Sequence, residues 1–117
     1  MLVMNEDLTE ALNGYIFLLK RKKYFEAHEV LEEAWHPLRL KKDPLANCVK
    51  GFINGAIAFE HIKRNKTNMP SKAQRVIASY LRYRHLVPSN TLFSSQFREA
   101  RYILDRLIIE HAEIFKT

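Results

Sequence analysis

Apolar side chains recur every three or four residues along most of this sequence, and that spacing constrains the fold more than any other feature. In residues 5–22 the recurring set is Leu8, Leu12, Tyr15, Ile16 and Leu19. Such spacing places side chains on one face of an α-helix. The 3 glycines and 4 prolines are too few to separate many short strands. The sequence therefore predicts an all-α fold, a single compact bundle of about five helices in one domain (residues 1–117).

The second and third helices are expected on either side of Pro37. The second spans about residues 24–35 and should stop before this proline, because proline disfavours helix at the residue that precedes it. The third begins at Asp43-Pro44, a capping residue followed by proline at the first helical position. Its apolar residues cover more than one stripe, which predicts the central, most buried helix. Gly51, Gly55 and Ala56 would let another helix approach its middle closely.

Two more helices complete the predicted bundle. The fourth covers about residues 71–84, a loop follows over residues 85–92, and the last helix runs from Ser94 or Ser95 to about residue 115. The apolar stripes of all five helices predict a core that contains Leu8, Leu12, Leu31, Trp35, Phe52, Ala56, Ile77 and Leu104.

The chain is basic, with 19 lysines and arginines against 13 aspartates and glutamates and a net charge of +6. Such a surface attracts polyanions weakly and with strong salt dependence. No nucleic-acid-binding motif accompanies it, so a solvated surface that keeps the protein soluble is the simpler interpretation. We expect any polyanion binding to be non-specific. The predicted basic patch consists of Lys20, Arg21, Lys22, Lys23, Lys41, Lys42, Lys63 and Arg64.

Cys48 is the single cysteine, which excludes an internal disulfide and a cysteine-based zinc site. The apolar run that follows it indicates a small buried residue rather than a reactive thiol. The first seven residues show no export signal. The longest uncharged runs, residues 11–19 and 51–59, are shorter than the ~20 residues that a membrane span needs. We therefore expect a cytoplasmic protein without a membrane span.

Residues 24–35 carry the most informative polar chemistry. At about 100° per residue, His28 and Trp35 fall on the apolar face of this helix and Glu29 falls on the opposite one. Glu32 lies at the edge, one turn after His28. The histidine could hydrogen-bond a carboxylate or a backbone carbonyl within the bundle, or it could take part in chemistry. For Trp35 the alternatives are core packing and stacking against a ligand.

Known catalytic patterns do not fit this segment. The zinc-protease motif needs a second histidine where Glu32 stands, and the di-iron motif needs a second Glu-x-x-His element that the sequence lacks. A single divalent metal ion, bound by His28, Glu32 and a histidine from another helix, is the cofactor that these residues would admit, since imidazole and carboxylate suit zinc or iron.

The same segment, Tyr-Phe-Glu-Ala-His-Glu-Val-Leu-Glu-Glu-Ala-Trp, resembles the signature of the domain-of-unknown-function family numbered 309, small helical bacterial and archaeal proteins. Residues 50–65 match that family's second block, a glycine, a long apolar helix and a histidine before a basic turn. The resemblance covers about residues 24–81. It implies a helical bundle but no established reaction, and a shared polar cluster of His28, Glu29, Glu32, Trp35 and His61.

Two functions follow as hypotheses. The first is a binding or interaction module with an internal His/Glu/Trp cluster, with self-association into a homo-oligomer left open. The second is a small metal- or ligand-dependent enzyme that uses His28, Glu32 and His61. We favour the binding module, because these few polar groups define no reaction geometry. Whether the protein is an enzyme stays open at this point.

Overall fold

A computed structural model describes the backbone of residues 4–89 and 94–116, with side chains from residue 8 onward. No β-strand occurs in these ranges, and the predicted all-α class is confirmed. The helices are α1 (Met4–Lys20), α2 (Tyr24–Leu40), α3 (Ala46–Arg64), α4 (Met69–Tyr83), α5 (Ser94–Glu110) and α6 (Ala112–Phe115), with a 3₁₀ turn at Arg84–Leu86.

Helix α3 is the central helix, as the sequence predicts, and it packs against both α2 and α4. Its buried residues cover more than one stripe: Cys48, Val49, Gly51, Phe52, Ile53, Gly55, Ala56, Ala58 and Phe59. Seven of the eight predicted core residues are buried. Trp35 is the exception, since it is only partly buried and packs against the edge of the core. Burial raises the pKa of the Cys48 thiol to about 12, which agrees with the inert, buried cysteine that the sequence indicates.

The predicted end of α2 at residue 35 is wrong, because the helix continues to Leu40 with Pro37 inside it. Proline removes one hydrogen bond of the helix and crowds the preceding turn. The continuation places Leu38 in the core, where it is 1% exposed, and full burial of a leucine contributes about 1.5–3 kcal/mol. The Pro37 carbonyl also accepts a hydrogen bond from the Lys41 N–H at 3.1 Å. Burial of Leu38 thus offsets much of the cost of a proline inside a helix, which is about 3 kcal/mol.

Helix α3 begins at Ala46, three residues after the predicted Asp43. Asp43 still organises the approach to the helix, because its Oδ1 accepts a hydrogen bond from the Leu45 N–H at 2.8 Å. Its backbone carbonyl accepts a further hydrogen bond from the Ala46 N–H at 3.0 Å. The Asp-Pro pair therefore marks a turn before the helix and not its first turn.

The C-terminal third differs from the prediction in two places. Residues 84–86 of the connection after α4 form the 3₁₀ turn, and the predicted loop residues 90–92 lie outside the described residues. The last helix is interrupted at His111, where the predicted helix was continuous to about residue 115. The Leu107 carbonyl accepts a hydrogen bond from the His111 ring Nδ1 at 2.9 Å and another from the His111 N–H at 3.1 Å.

Two glycines allow the close approach to α3 that the sequence predicts. A Cβ on Gly51 would lie 3.2 Å from both the Ser79 carbonyl oxygen and the Tyr80 Cα of α4. A Cβ on Gly55 would lie 2.8 Å from a methyl group of Leu104 on α5. Helices α4 and α5 therefore contact the middle of α3 at a distance that larger residues would prevent.

Within the described ranges, none of the helices is long and apolar enough to cross a membrane.

Candidate functional site

Contacts between cations and aromatic rings join α2 to α3 at two points. The Lys50 ammonium nitrogen lies 4.4 Å from the centre of the Trp35 ring, and the Arg64 guanidinium carbon lies 5.5 Å from the centre of the Phe25 ring. Arg39 adds a second cation at 5.4 Å from the Trp35 ring. Because α2 and α3 are antiparallel neighbours, these contacts mark the two ends of one shared face.

The register of the helix pair places His28 and His61 at the same height, within about one turn. Three residues along α2 from Phe25 lead to His28, and three residues back along α3 from Arg64 lead to His61. Both histidines are half-buried. Spacings of three, four, seven and eleven residues keep side chains on one side of a helix. We call this surface the α2–α3 face and define it as Phe25, His28, Glu32, Trp35, Lys50, His61 and Arg64.

His28 forms its hydrogen bond within α2. Its Nδ1 lies 2.6 Å from the Phe25 carbonyl oxygen, and its ring stacks edge-on against the Phe25 ring at 4.9 Å. A carbonyl oxygen can only accept, so Nδ1 carries a proton and donates this hydrogen bond. This is the backbone-carbonyl alternative that the sequence left open, and it fixes the orientation of the imidazole on the α2–α3 face.

The surroundings of His61 favour the neutral form of its imidazole. Burial lowers the pKa of its imidazole, and the cations Lys72 and Arg64 lower this pKa further. Glu60 opposes the shift, but this carboxylate is already paired with Arg64. A neutral imidazole can both donate and accept a hydrogen bond. Lys72 belongs to α4, so the electrostatic surroundings of the α2–α3 face extend to the next helix.

The remaining predicted site residues lie on or beside this face. Glu32 is half-buried, Glu29 is exposed as the helical wheel predicts, and the Trp35 ring packs 5.1 Å from the His36 ring. In the part of the chain with described side chains, no hydrogen bond or ion pair connects His28, Glu32 and His61. Nor are three His, Cys, Asp or Glu side chains of that part grouped to hold a metal ion. The hypothesised divalent-metal site therefore has no preformed ligand set.

The eight residues of the predicted basic patch are all exposed, in two groups. Six surround the turn between α1 and α2 and the end of α3, where the Lys63 ammonium donates a hydrogen bond to the Lys22 carbonyl at 3.0 Å. Lys41 and Lys42 lie beyond the far end of α2. Lys20 is paired with Glu99 of α5 at 2.7 Å. The groups thus lie toward opposite ends of the α2–α3 face.

Phe25 and Lys50, at the two ends of the face, were not predicted from the sequence, and neither was a polar network around Asp105. Asp105 accepts hydrogen bonds from the Tyr80 hydroxyl at 2.7 Å and from Arg84 at 2.9 Å. Burial is the main cause that raises the pKa of Tyr80, and the hydrogen bond from its hydroxyl to Asp105 raises this pKa further. The network connects α4 and the 3₁₀ turn to α5, so it braces the fold. No motif could have shown it, because Tyr80 and Arg84 are 25 and 21 residues from Asp105 in sequence.

The fold and these contacts define an all-α protein with an aromatic and basic face on its second and third helices. The chain belongs to the family described as "Domain of unknown function (DUF309)", whose model matches residues 12–71. The match confirms the resemblance, and the matched range contains every residue of the α2–α3 face. Comparisons with curated proteins and with solved structures gave no match.

Proposed function

We propose that this protein is a binding module that docks a segment of a partner protein on the α2–α3 face. The observation that carries the proposal is the position of Trp35, a half-buried ring with the Lys50 ammonium at 4.4 Å and the Arg39 guanidinium at 5.4 Å. The partner segment would carry acidic side chains for these cations and apolar side chains for the rings. We expect the encounter in the cytoplasm.

Aromatic residues and arginine are the side chains that dominate protein interfaces. The α2–α3 face presents an aromatic ring with a cation beside it at each end, and Phe25 is 40% exposed although it is a large apolar ring. A cation above a ring keeps hydrogen-bond donors that point away from the ring. A carboxylate of the partner can therefore bind Lys50 or Arg64 while an apolar neighbour covers the ring.

The carboxylates around the face favour a protein over a nucleic acid. Glu32 lies on the face, and Glu26, Glu29 and Glu33 are exposed on the same helix. Phosphates gain affinity from clustered lysines and arginines and are repelled by carboxylates. A protein segment of mixed charge can place a basic residue beside these glutamates. Polyanion binding by the basic patch remains an outcome of the test.

The test uses a photoreactive residue on the face in the living cell. The amino acid p-benzoylphenylalanine replaces Phe25, and in a matched control it replaces Phe17, an exposed ring on α1 with the Arg21 guanidinium at 3.5 Å. We expect one predominant protein adduct from position 25 that position 17 does not give. The Lys50→Glu variant should weaken binding of that purified partner about tenfold or more.

Other adducts identify other functions. A dimer of this chain from position 25 would show that the partner is a second copy and the protein a homo-oligomer. Adducts with nucleic acid, or equal adducts from positions 25 and 17, would contradict the proposal.

A further inference from the structure

A cavity of about 230 Å³ lies where the α1–α2 turn, the end of α3 and the junction of α5 and α6 meet. Its apolar lining comes from Tyr24, Phe59, Ile62 and Leu107. An adjoining recess of about 250 Å³ shares Tyr24 and Leu107 with it. None of the residues that line the cavity belongs to the α2–α3 face, and the proposed function does not use it.

Three rings border the cavity. The Tyr24 and Phe59 ring centres are 5.9 Å apart, and the Phe59 and His111 ring centres are 5.7 Å apart. Aromatic pairs are favourable at centre distances of 4.5–7 Å in tilted or edge-to-face arrangements. The aromatic ring of a ligand could make the same kind of contact with Tyr24, Phe59 and His111. The apolar part of the cavity therefore suits a ligand with one aromatic ring better than a ligand with a flexible apolar chain.

Cations predominate among the polar groups of the cavity. Lys22 and Lys63 line it, and the Lys63 ammonium is positioned there by its hydrogen bond to the Lys22 carbonyl. Lys20 and Arg106 line the adjoining recess, and Glu110 is the carboxylate that both spaces share. Lys20 is paired with Glu99, which leaves three cations against one carboxylate, and this balance favours an anionic ligand.

Two further polar atoms are available to a ligand. Among the described residues, the Tyr24 hydroxyl has no hydrogen-bond partner. His111 uses Nδ1 for the Leu107 carbonyl, so its Nε2 is the ring nitrogen that a ligand can reach. Binding pockets combine an apolar lining with a few convergent polar groups of this kind.

From this arrangement we propose that the cavity binds a small aromatic carboxylate. Its ring would lie among Tyr24, Phe59 and His111, and its carboxylate would bind the ammonium groups of Lys22 and Lys63. An apolar cavity of about 150 Å³ holds a benzene molecule. A cavity of about 230 Å³ therefore holds one ring with a short acid chain. His111, which lies between the end of α5 and the start of α6, would contact the ring of the ligand.

The test titrates the full chain with phenylacetate and follows backbone amide signals by NMR. Phenylacetamide is the matched neutral ligand, and acetate is the matched ligand without a ring. We expect saturable shifts at Tyr24, Leu107 and His111, with phenylacetate bound about tenfold more tightly than either control. Lys63→Gln should weaken phenylacetate binding about tenfold. Lys66→Gln, the same change of charge on an exposed turn outside the cavity, should leave it unchanged.

Three results would overturn the proposal. Equal affinity for phenylacetamide would show an apolar cavity without anion recognition. Equal affinity for acetate, with shifts spread over the basic patch, would show ions on a basic surface only. An absence of saturable shifts would show that the cavity does not bind this class of ligand. These ligand comparisons use the unaltered chain, so they hold even if Lys63→Gln disturbs folding.

Discussion

The Lys50 ammonium lies 4.4 Å from the centre of the Trp35 ring and so connects the first half of α3 to the second half of α2. A cation at this distance from an indole ring is attracted by its π electrons. The contact also explains why Trp35 lies at the edge of the core and not within it, since the ring has an apolar side toward the core and a charged neighbour.

The Lys50→Met variant tests this contact. It keeps most of the side-chain length but removes the charge, and we expect the free energy of unfolding to fall by about 0.5–1 kcal/mol. The fluorescence of Trp35, the single tryptophan, should also change in the folded state. Urea titration at one pH measures both quantities. Lys41→Met, at an exposed position beyond α2, is the control, and an equal effect there would contradict a specific role of Lys50.

The glycines on two helices should respond oppositely to alanine. Alanine is favoured over glycine in a helix by about 1 kcal/mol. At Gly51 the new Cβ would lie 3.2 Å from the backbone of α4, which cannot move locally, and overpacking costs about 1–3 kcal/mol. At Gly14 the neighbour is a methyl group of half-buried Val30 at 3.3 Å, which can shift.

We therefore expect Gly51→Ala to destabilise the fold by about 1 kcal/mol and Gly14→Ala to stabilise it by about 0.5 kcal/mol. Thermal and urea unfolding of the two variants measure the difference. Stabilisation by Gly51→Ala would show that α4 does not approach α3 as closely as described.

The lowered pKa of His61 predicts a loss of stability in acid. The unfolded chain, in which a histidine has a pKa of about 6.5, binds its proton first as the pH falls. The contribution of His61 to the free energy of unfolding is therefore fully present above about pH 6.5. It decreases as the pH falls toward the lower pKa that His61 has in the folded state.

The His61→Gln variant should lose less stability than the unaltered protein between pH 7.5 and pH 5.5, as measured by urea unfolding. Because Lys72 contributes to the shift, Lys72→Gln should raise the pKa of His61 in an NMR titration. A pKa at or above 6.5 for His61 in the folded protein would contradict this account.

Cys48 should resist alkylation while the protein is folded. Its thiol is buried, and burial raises its pKa to about 12. Since the thiolate is the reactive form, reaction with iodoacetamide at pH 8 should be about a thousandfold slower than for the unfolded chain. Mass spectrometry of the folded and the urea-unfolded protein measures the two rates. Comparable rates would show that Cys48 is accessible.

Local pattern was sufficient for most of the fold. The spacing of Leu8, Leu12 and Leu31 predicts their burial, and the unbroken apolar surface of α3 predicts its central position. The end of α2 could not be predicted in this way. Pro37 is a local signal to stop, whereas the burial of Leu38 depends on the packed tertiary structure.

The candidate site was predicted only in part for the same reason. The helical wheel brings His28, Glu32 and Trp35 to one side of α2, and the family pattern adds His61. The contacts at the two ends of the face are Phe25 with Arg64 and Trp35 with Lys50. They connect residues that are 39 and 15 positions apart in the sequence. No local pattern encodes such pairs, because they depend on the antiparallel register of two helices.

The emission of Trp35 tests the central claim most directly. A peptide of the partner segment crosslinked from position 25, made without tryptophan, is titrated into the protein while Trp35 fluorescence is recorded. We predict a saturable change in emission that requires about tenfold more peptide, or more, in Lys50→Glu and that Lys41→Glu, at an exposed position beyond α2, leaves intact. Calorimetrically measured binding of the same peptide without any change in Trp35 emission would contradict the assignment of the α2–α3 face as the binding site.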